Sequence, residues 1–317
     1  MMGRFVADVG GTNIRLAQET NGRISHIKKY LCKDYATIQE VILAYFAEFP
    51  DVTFKAGCIG IACPTNTDTI KMTNHHWAFS VKALTQGLSL DWLQVINDYT
   101  AVSMSLPVLG EDQKHQIGSG TADPTGHIAV FGPGTGLGVG HLIHTPVGWQ
   151  SIPGEGGHVD FAPVDAIDMA ILTFLQKRYE RVSAEQLLSG NGLLQIYQAI
   201  ADMNGVAVSC EEPAQVTENA LSGACEICVK ALNQFCAIMG SFAGNLALNM
   251  GTSGGIYIAG GIVSRFIPFL EQSDFRARYL AKGRFKEYVS VIPTYVITEP
   301  DHGLLGAAAY LEQHYKG

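Results

Sequence analysis

The amino-acid sequence predicts an α/β protein assembled from two related halves. Three observations carry that expectation. Short apolar runs with strand character, at 4–9, 56–62, 93–96, 127–131, 255–259 and 289–297, alternate with helical patterns. A strand–glycine turn–strand arrangement near 4–18, containing DVGGTNIRL, is echoed near 127–143 by FGPGTGLGVGHL. Between them, 110–126 is polar and rich in Gly, Asp and Thr, the composition of a connection near a domain boundary. Two glycine turns in separate blocks suggest a duplicated core with a cleft between the halves.

Each element follows from its residues. The first strand turns at Gly10-Gly11, and a second strand is expected over 15–18. Ile38, Val41, Ile42, Tyr45, Phe46 and Phe49 recur at helical spacing, and Pro50 stops that helix. The apolar strand 56–62 ends at Cys63-Pro64. The strand 93–96 delivers Asn97 and Asp98 at its carboxyl end, and a helix is expected from 100 to 106. Strands at 127–131 and 139–144 open the second block. Helices follow at 166–179 and 225–250, a strand at 255–259, a last strand at 289–297 and a last helix at 304–311.

Composition excludes several function classes. The chain has 317 residues, 47% of them hydrophobic, which is enough for a sizeable core and rules out global disorder. A net charge of −8 with no Lys/Arg run disfavours nucleic-acid binding through phosphate contacts. No stretch reads as long and unbroken enough to span a bilayer, and MMGRFVADVGG lacks the order of a signal peptide, so no membrane role and a cytoplasmic location are expected. The 7 cysteines are irregularly spaced, unlike a secreted disulfide framework. Cys225 and Cys228 form the one close pair, on one face of a helical run. Buried core thiols are favoured there over a metal or redox site, because no second Cys/His pair with zinc-ribbon spacing follows.

Three glycine motifs and one polar set carry the chemistry. In Asp8-Val9-Gly10-Gly11-Thr12-Asn13, glycines let backbone amides approach an anion, Thr12 and Asn13 add donors, and Asp8 is placed to meet a phosphate-bound Mg²⁺. An ordinary hairpin turn fits that segment equally well. The run from Gly132 through Pro133, Gly134, Thr135, Gly136 and Gly138 to Gly140 has glycine at every other position. Close backbone approach of a phosphate explains this better than a plain hairpin. No Gly-Lys-Ser/Thr follows, so it is not a Walker loop. The next segment reads as strand, so it is not a Rossmann fingerprint either. Gly260 and Gly261, in Ile258–Ile262, leave room for a base or ribose, or simply turn the chain from strand to helix. Asn97, Asp98, Glu155, His158 and Glu185 are carboxylates, an amide and an imidazole of the kind that bind sugar hydroxyls. Each also has a plain alternative: Asp98 as a helix N-cap, Glu185 as a first-turn charge opening a helix, His158 as a satisfied histidine.

Taken together these segments resemble the bacterial glucokinases of the hexokinase, actin and Hsp70 superfamily. The resemblance covers essentially the whole chain, through DVGGTNIRLA, GCIGIACP, MTNHHWAFS, INDYTAVS, GPGTGLGVGHL, PGEGGHVDFAP, VSAEQLLSGNGL, GNLALNMGTSGGIYIAGGIV, KGRFKEYV and GLLGAAAYL. It implies an actin/hexokinase-like (ribonuclease H-like) fold with an interdomain cleft. The small domain would comprise 1–108 plus 299–317 and the large domain 109–298. It implies ATP-dependent phosphorylation of glucose, the first step of glycolysis, by a cytoplasmic homodimer. Asn97, Asp98, Glu155, His158 and Glu185 would hold the sugar, with Asp98 as catalytic base. The three glycine motifs would hold ATP. Mg²⁺ would be carried by the nucleotide near Asp8, with no site made of protein ligands alone. The related ROK kinases and repressors follow the same Glu-Gly-Gly-His pattern with a zinc-binding cysteine cluster. Here His158 is followed by Val159-Asp160-Phe161, and the next cysteine is Cys210, so a sugar contact rather than a zinc role is expected. The chain begins almost at the first phosphate motif, so a repressor's DNA-binding extension is not expected.

Overall fold

The structure, a computed structural model, describes residues 2–72 and 75–316. Two residues of the MTNHHWAFS match therefore lie outside the described residues. In chain order the first elements are β1 (Met2–Val9), β2 (Asn13–Thr20), β3 (Arg23–Leu31), α1 (Ile38–Ala47), β4 (Thr53–Ile61), β5 (Thr69–Lys71), β6 (Ala78–Ser80), α2 (Val81–Gly87), β7 (Trp92–Asn97) and α3 (Asp98–Ser105). Then come β8 (Lys114–Ile117), β9 (Ile128–Pro133), β10 (Leu137–Thr145), β11 (Gly148–Ile152), α4 (Ala166–Leu175), α5 (Gly190–Met203), α6 (Pro213–Leu221) and α7 (Glu226–Met250). The chain ends with β12 (Gly255–Ile258), α8 (Ile267–Gln272), α9 (Phe275–Leu280), α10 (Lys286–Ser290), β13 (Thr294–Ile297) and α11 (His302–His314).

The chain forms two compact units. Unit 1 holds Met1–Gly110, Thr145–Ile152 and Glu299–Gly317; unit 2 holds Glu111–His144 and Pro153–Thr298. In unit 1 the main sheet has the order β3-β2-β1-β4-β7. Pairing is antiparallel across β3, β2 and β1 and parallel across β1, β4 and β7. Alternation along β1 sends Phe5, Ala7 and Val9 to one face, where Val41, Ile42 and Tyr45 of α1 cover them. Val6 points to the other face, with Ala56, Cys58 and Ile96, under Ala101 of α3 and Leu304, Ala307, Ala308 and Leu311 of α11. Gly306 is what lets α11 approach α3: a Cβ there would collide with the Ala101 carbonyl.

Unit 2 repeats the plan. β9 and β10 form an antiparallel hairpin, and β9, β12 and β13 run parallel, with β8 antiparallel on the outer side of β13. The echo between the two glycine turns therefore has a structural counterpart in each unit's hairpin-then-parallel order. The core lies between this sheet and a helical layer in which α7 packs against α5, α6 and α9. α7 spans 25 residues and is apolar enough to cross a bilayer by length and composition, contrary to expectation. However, 83% of its apolar window is buried, which makes it a core helix. It ends at Gly251, whose φ of 57° gives a left-handed cap.

Several local expectations need correction. The polar connection 110–126 contains β8, an edge strand too polar to announce itself. β3 is likewise a mostly exposed edge strand with no apolar alternation. The run 289–297 is not one strand: α10 ends at Ser290 and β13 starts at Thr294, because Pro293 cannot donate into a central ladder. Glu185 does not open a helix. The backbone N–H groups of Ala184 and Glu185 donate to the carbonyls of Val159 and Gly157, both at 2.9 Å, and α5 begins only at Gly190.

Candidate active site

In unit 1 the reactive groups sit where parallel strands end. β7 stops at Asn97 and α3 starts at Asp98 with no intervening loop. Asn97, not Asp98, is the N-cap: its Oδ1 accepts from the Tyr99 N–H at 2.9 Å, while Asp98 Oδ1 accepts from the same N–H at 3.0 Å. Asn97 Nδ2 also reaches the Cys63 carbonyl at 3.5 Å, tying it to the end of the GCIGIACP segment. Burial pushes the Asp98 carboxyl up to about 6, and the nearby negative charge of Asp8 adds to the rise. The Tyr99 N–H and the Asn97 side chain pull the other way without cancelling it.

Asp8 lies one residue before the end of β1, the strand that runs parallel to β4 and so leads to the same end of the sheet. Burial raises its proton affinity too, against the attraction of Arg15 and His302. Its carboxyl group lies against Gly303 in the first turn of α11, where a Cβ would stand 3.0 Å from the Asp8 carboxyl carbon. The turn itself closes by a Gly10 N–H to Asn13 carbonyl bond of 2.9 Å, and Thr12 is exposed at its tip. A Cβ on Gly10 would meet the Asn13 carbonyl oxygen at 3.6 Å, an ordinary van der Waals contact, so packing alone does not require glycine there.

In unit 2 the second and third glycine motifs meet. The β9–β10 turn closes by a Gly134 N–H to Gly136 carbonyl bond of 2.8 Å and exposes Thr135. Gly260 has φ +92°, and a Cβ there would stand 2.8 Å from the Pro133 carbonyl. Gly261 beside it opens to free space. The start of α5 also belongs here, which the sequence reading did not single out. The Gly190 N–H donates to the Gly134 carbonyl at 2.9 Å, and Ser189 caps the helix by accepting from the Gly192 N–H. The positive end of a 14-residue helix thus adjoins the turn. The signal was present as Ser189-Gly190-Asn191-Gly192 before an apolar run.

The sugar candidates of unit 2 converge as well. Glu155 precedes a short 3-10 turn, Gly156–His158, and its carbonyl accepts from the His158 N–H at 3.0 Å. Both side chains are exposed. His158 Nδ1 stands 3.9 Å from Glu185 Oε1. The other oxygen of Glu185 accepts from the Leu137 N–H at 2.9 Å, at the edge of the glycine turn. One carboxylate therefore joins the polar loop to the phosphate turn, a link between residues 48 apart that no sequence pattern announces. Arg181 fastens the same loop from outside, donating to the His158 carbonyl at 2.9 Å and to Asp160 Oδ1 at 2.6 Å. Asn97, Asp98 and Asp8 thus gather in unit 1, and Glu155, His158, Glu185 and the two remaining glycine motifs in unit 2. Among the described residues no cluster of three or more His, Cys, Asp or Glu side chains has metal-holding geometry.

Comparison with known proteins is consistent along the whole chain. The glucokinase family model matches residues 5–314. A glucokinase from Photorhabdus laumondii is 52% identical over 311 residues, covering 98% of this chain and 97% of that one. The crystal structure of a glucokinase from an Antarctic psychrotroph superposes with a TM-score of 0.92 at 36% identity, covering 98% of both chains. A ROK family glucokinase from Streptomyces griseus, solved with glucose and AMPPNP, shares the fold at a TM-score of 0.60 and 19% identity, covering 97% of this chain and 98% of that one. Two α/β units of this plan, strand-end carboxylates in one and linked glycine turns in the other, and a family match from residue 5 to residue 314 lead to one assignment: the chain belongs to the glucokinase family.

Proposed function

We infer that this chain phosphorylates glucose at its 6-hydroxyl, with ATP as donor and Asp98 as the base. The observation that supports this most is the state of Asp98. Its carboxyl, raised to about 6, is still largely ionised at neutral pH and is a better proton acceptor than an ordinary aspartate. As the sugar oxygen attacks the γ-phosphorus in line, Asp98 accepts the hydroxyl proton. A base so placed contributes about 10²–10⁴-fold in rate. Asn97, Glu155, His158 and Glu185 hold the remaining hydroxyls, so that a single alcohol is presented. Transfer of this kind is otherwise a matter of positioning and charge stabilisation.

The nucleotide is taken as its magnesium complex. The turns at Asp8–Asn13 and Gly132–Gly138, with the start of α5, offer backbone N–H groups and a helix terminus to the phosphates. Gly260 and Gly261 leave room for the nucleoside. Asp8 is an oxygen donor at a strand end, the chemistry that Mg²⁺ prefers, and would hold the ion directly or through water. The functional division would be a small domain of 1–108 with 299–317 and a large domain of 109–298. Family membership supports a homodimer acting in the cytoplasm at the first step of glycolysis.

Glucose-dependent ADP formation by the purified protein tests the reading. Asp98→Ala is expected to abolish turnover while glucose still binds. ATP hydrolysis indifferent to glucose would instead favour a chaperone-like ATPase.

A further inference from the structure

We propose that Cys225 and Cys228 form a redox-active dithiol, a modification site at which a hydroperoxide converts the pair to a disulfide. The two residues are the ends of a Cys-x-x-Cys segment placed at the N-terminus of α7. Cys225 is the cap residue, and its sulfur accepts from the Cys228 N–H at 3.3 Å. It is partly exposed, packed on one side against the core and preceded by the exposed residues 221–224. Cys228 lies one turn inward and is fully buried. A third thiol stands behind it: Cys210 Sγ is 3.7 Å from Cys228 Sγ and receives a hydrogen bond from Asn219 Nδ2 at 3.4 Å.

This arrangement separates the roles of attacking and resolving sulfur. A thiolate at a helix N-terminus is stabilised by the N–H groups pointing at it, and the thiolate is the nucleophile. For Cys225, burial works to raise the thiol, but hydrogen bonds from the Cys228 thiol and N–H outweigh it and hold the thiol below its ordinary value. Cys228 is driven the opposite way, by burial first and then by its sulfur neighbours. Positions three apart on a helix have Cβ atoms about 5–6 Å from each other, beyond the roughly 3.5–4.5 Å of a disulfide, so the cap residue, whose backbone is extended at φ −139° and ψ 112°, must swing inward for the bond to close.

The chemistry balances in two steps. The Cys225 thiolate attacks one peroxide oxygen, the S–O bond forms as the O–O bond breaks, and the departing oxygen takes a proton and leaves as alcohol or water. The sulfur is oxidised by two electrons to a sulfenic acid, and the peroxide is reduced. Cys228 then attacks that sulfur, giving up its proton as the S–S bond forms and water leaves. Two thiols and one hydroperoxide yield one disulfide, one alcohol or water, and one water.

Hydrogen peroxide at stoichiometric dose on the reduced full chain, followed by alkylation and peptide mass spectrometry, tests the proposal. The expected result is loss of one pair of the seven free thiols, mapped to a Cys225–Cys228 bridge that dithiothreitol reverses. Cys228→Ala should stop the reaction at a Cys225 sulfenic acid, trapped by dimedone. Cys225→Ser should remove the oxidation while leaving glucose phosphorylation by the reduced protein unchanged. The proposal is overturned if all thiols remain alkylatable under peroxide that oxidises free cysteine in the same tube. It is equally overturned if Cys225→Ser forms a Cys210–Cys228 bridge at the wild-type rate.

Discussion

Replacing Asp98 by asparagine should make the protein more stable and nearly inactive. The substitution keeps the shape of the side chain and leaves the Asn97 cap to α3 in place. It removes a carboxylate that sits in a part-buried site beside Asp8. That carboxyl binds its proton more tightly in the folded chain, at about 6, than in the unfolded chain, near its ordinary value of 3.8. Folding is therefore unpenalised below the unfolded value, and the penalty grows as pH rises and is complete above about 6. A difference of about two units at 1.36 kcal/mol each sets an upper bound of about 3 kcal/mol. Part-exposure lowers this, so a gain of about 1–3 kcal/mol is expected for Asp98→Asn at roughly pH 8, shrinking to roughly a few tenths of a kcal/mol near pH 4 and vanishing below the unfolded value. Urea unfolding of both proteins at the two pH values measures it, and kcat should fall by about 10²–10⁴. An asparagine variant no more stable than the parent at the higher pH would refute the electrostatic reasoning. One that keeps full kcat would refute the assignment of the base.

Other expectations follow from the same geometry. With Asp98 titrating at about 6, kcat/KM should fall with a slope of one proton as pH drops below that value, and Asp98→Ala should abolish the slope with the activity. Glu185→Gln retains an acceptor for the Leu137 N–H, whereas Glu185→Ala leaves that donor unmatched at a cost of about 1–3 kcal/mol. Steady-state kinetics should therefore show both variants weakened toward glucose, but only the alanine variant weakened toward ATP. Gly260→Ala must hold φ +92° with a Cβ against the Pro133 carbonyl, a strain of about 1–3 kcal/mol, and should raise KM for ATP with little change for glucose. Arg278 pairs with the fully buried Asp168, which also accepts from Gln234 Nε2 at 2.6 Å. Arg278→Ala should lower stability by about 3–5 kcal/mol in urea unfolding, and adding Asp168→Leu should recover only part of it, because the Gln234 amide and the Val164 N–H then lose their acceptor.

What the sequence conveyed depended on whether a signal was local. The mainly apolar β7 stops at Asn97 with Asp98 next, so both could be placed at a strand end from the sequence alone. The 132–140 turn stood out because glycine at every other position has no packing explanation, whereas Gly10-Gly11 and Gly260-Gly261 each fitted an ordinary turn equally well. Long-range partners were not visible. Nothing in residues 137 and 185 foretells that a carboxylate will accept from a turn 48 residues away. Edge strands β3 and β8 were missed because solvent-facing strands need no apolar alternation. The contact of Cys210 with Cys228 was not legible, because 18 residues separate the two thiols, beyond any spacing rule for a pair.

Unit 1 is closed by a segment made long after its strands. α11, at His302–His314, shields Val6, Ala17, Ala56, Cys58 and Ile96 on one side of a sheet whose own strands are complete by residue 97. On the ribosome, α3 follows at once and covers part of that face with Ala101, but the share that belongs to α11 stays exposed while roughly two hundred further residues are translated, which makes the nascent N-terminal sheet a natural client for holding chaperones. A stop codon before residue 302 would then yield not a slightly shorter enzyme but a half-dressed sheet prone to clump.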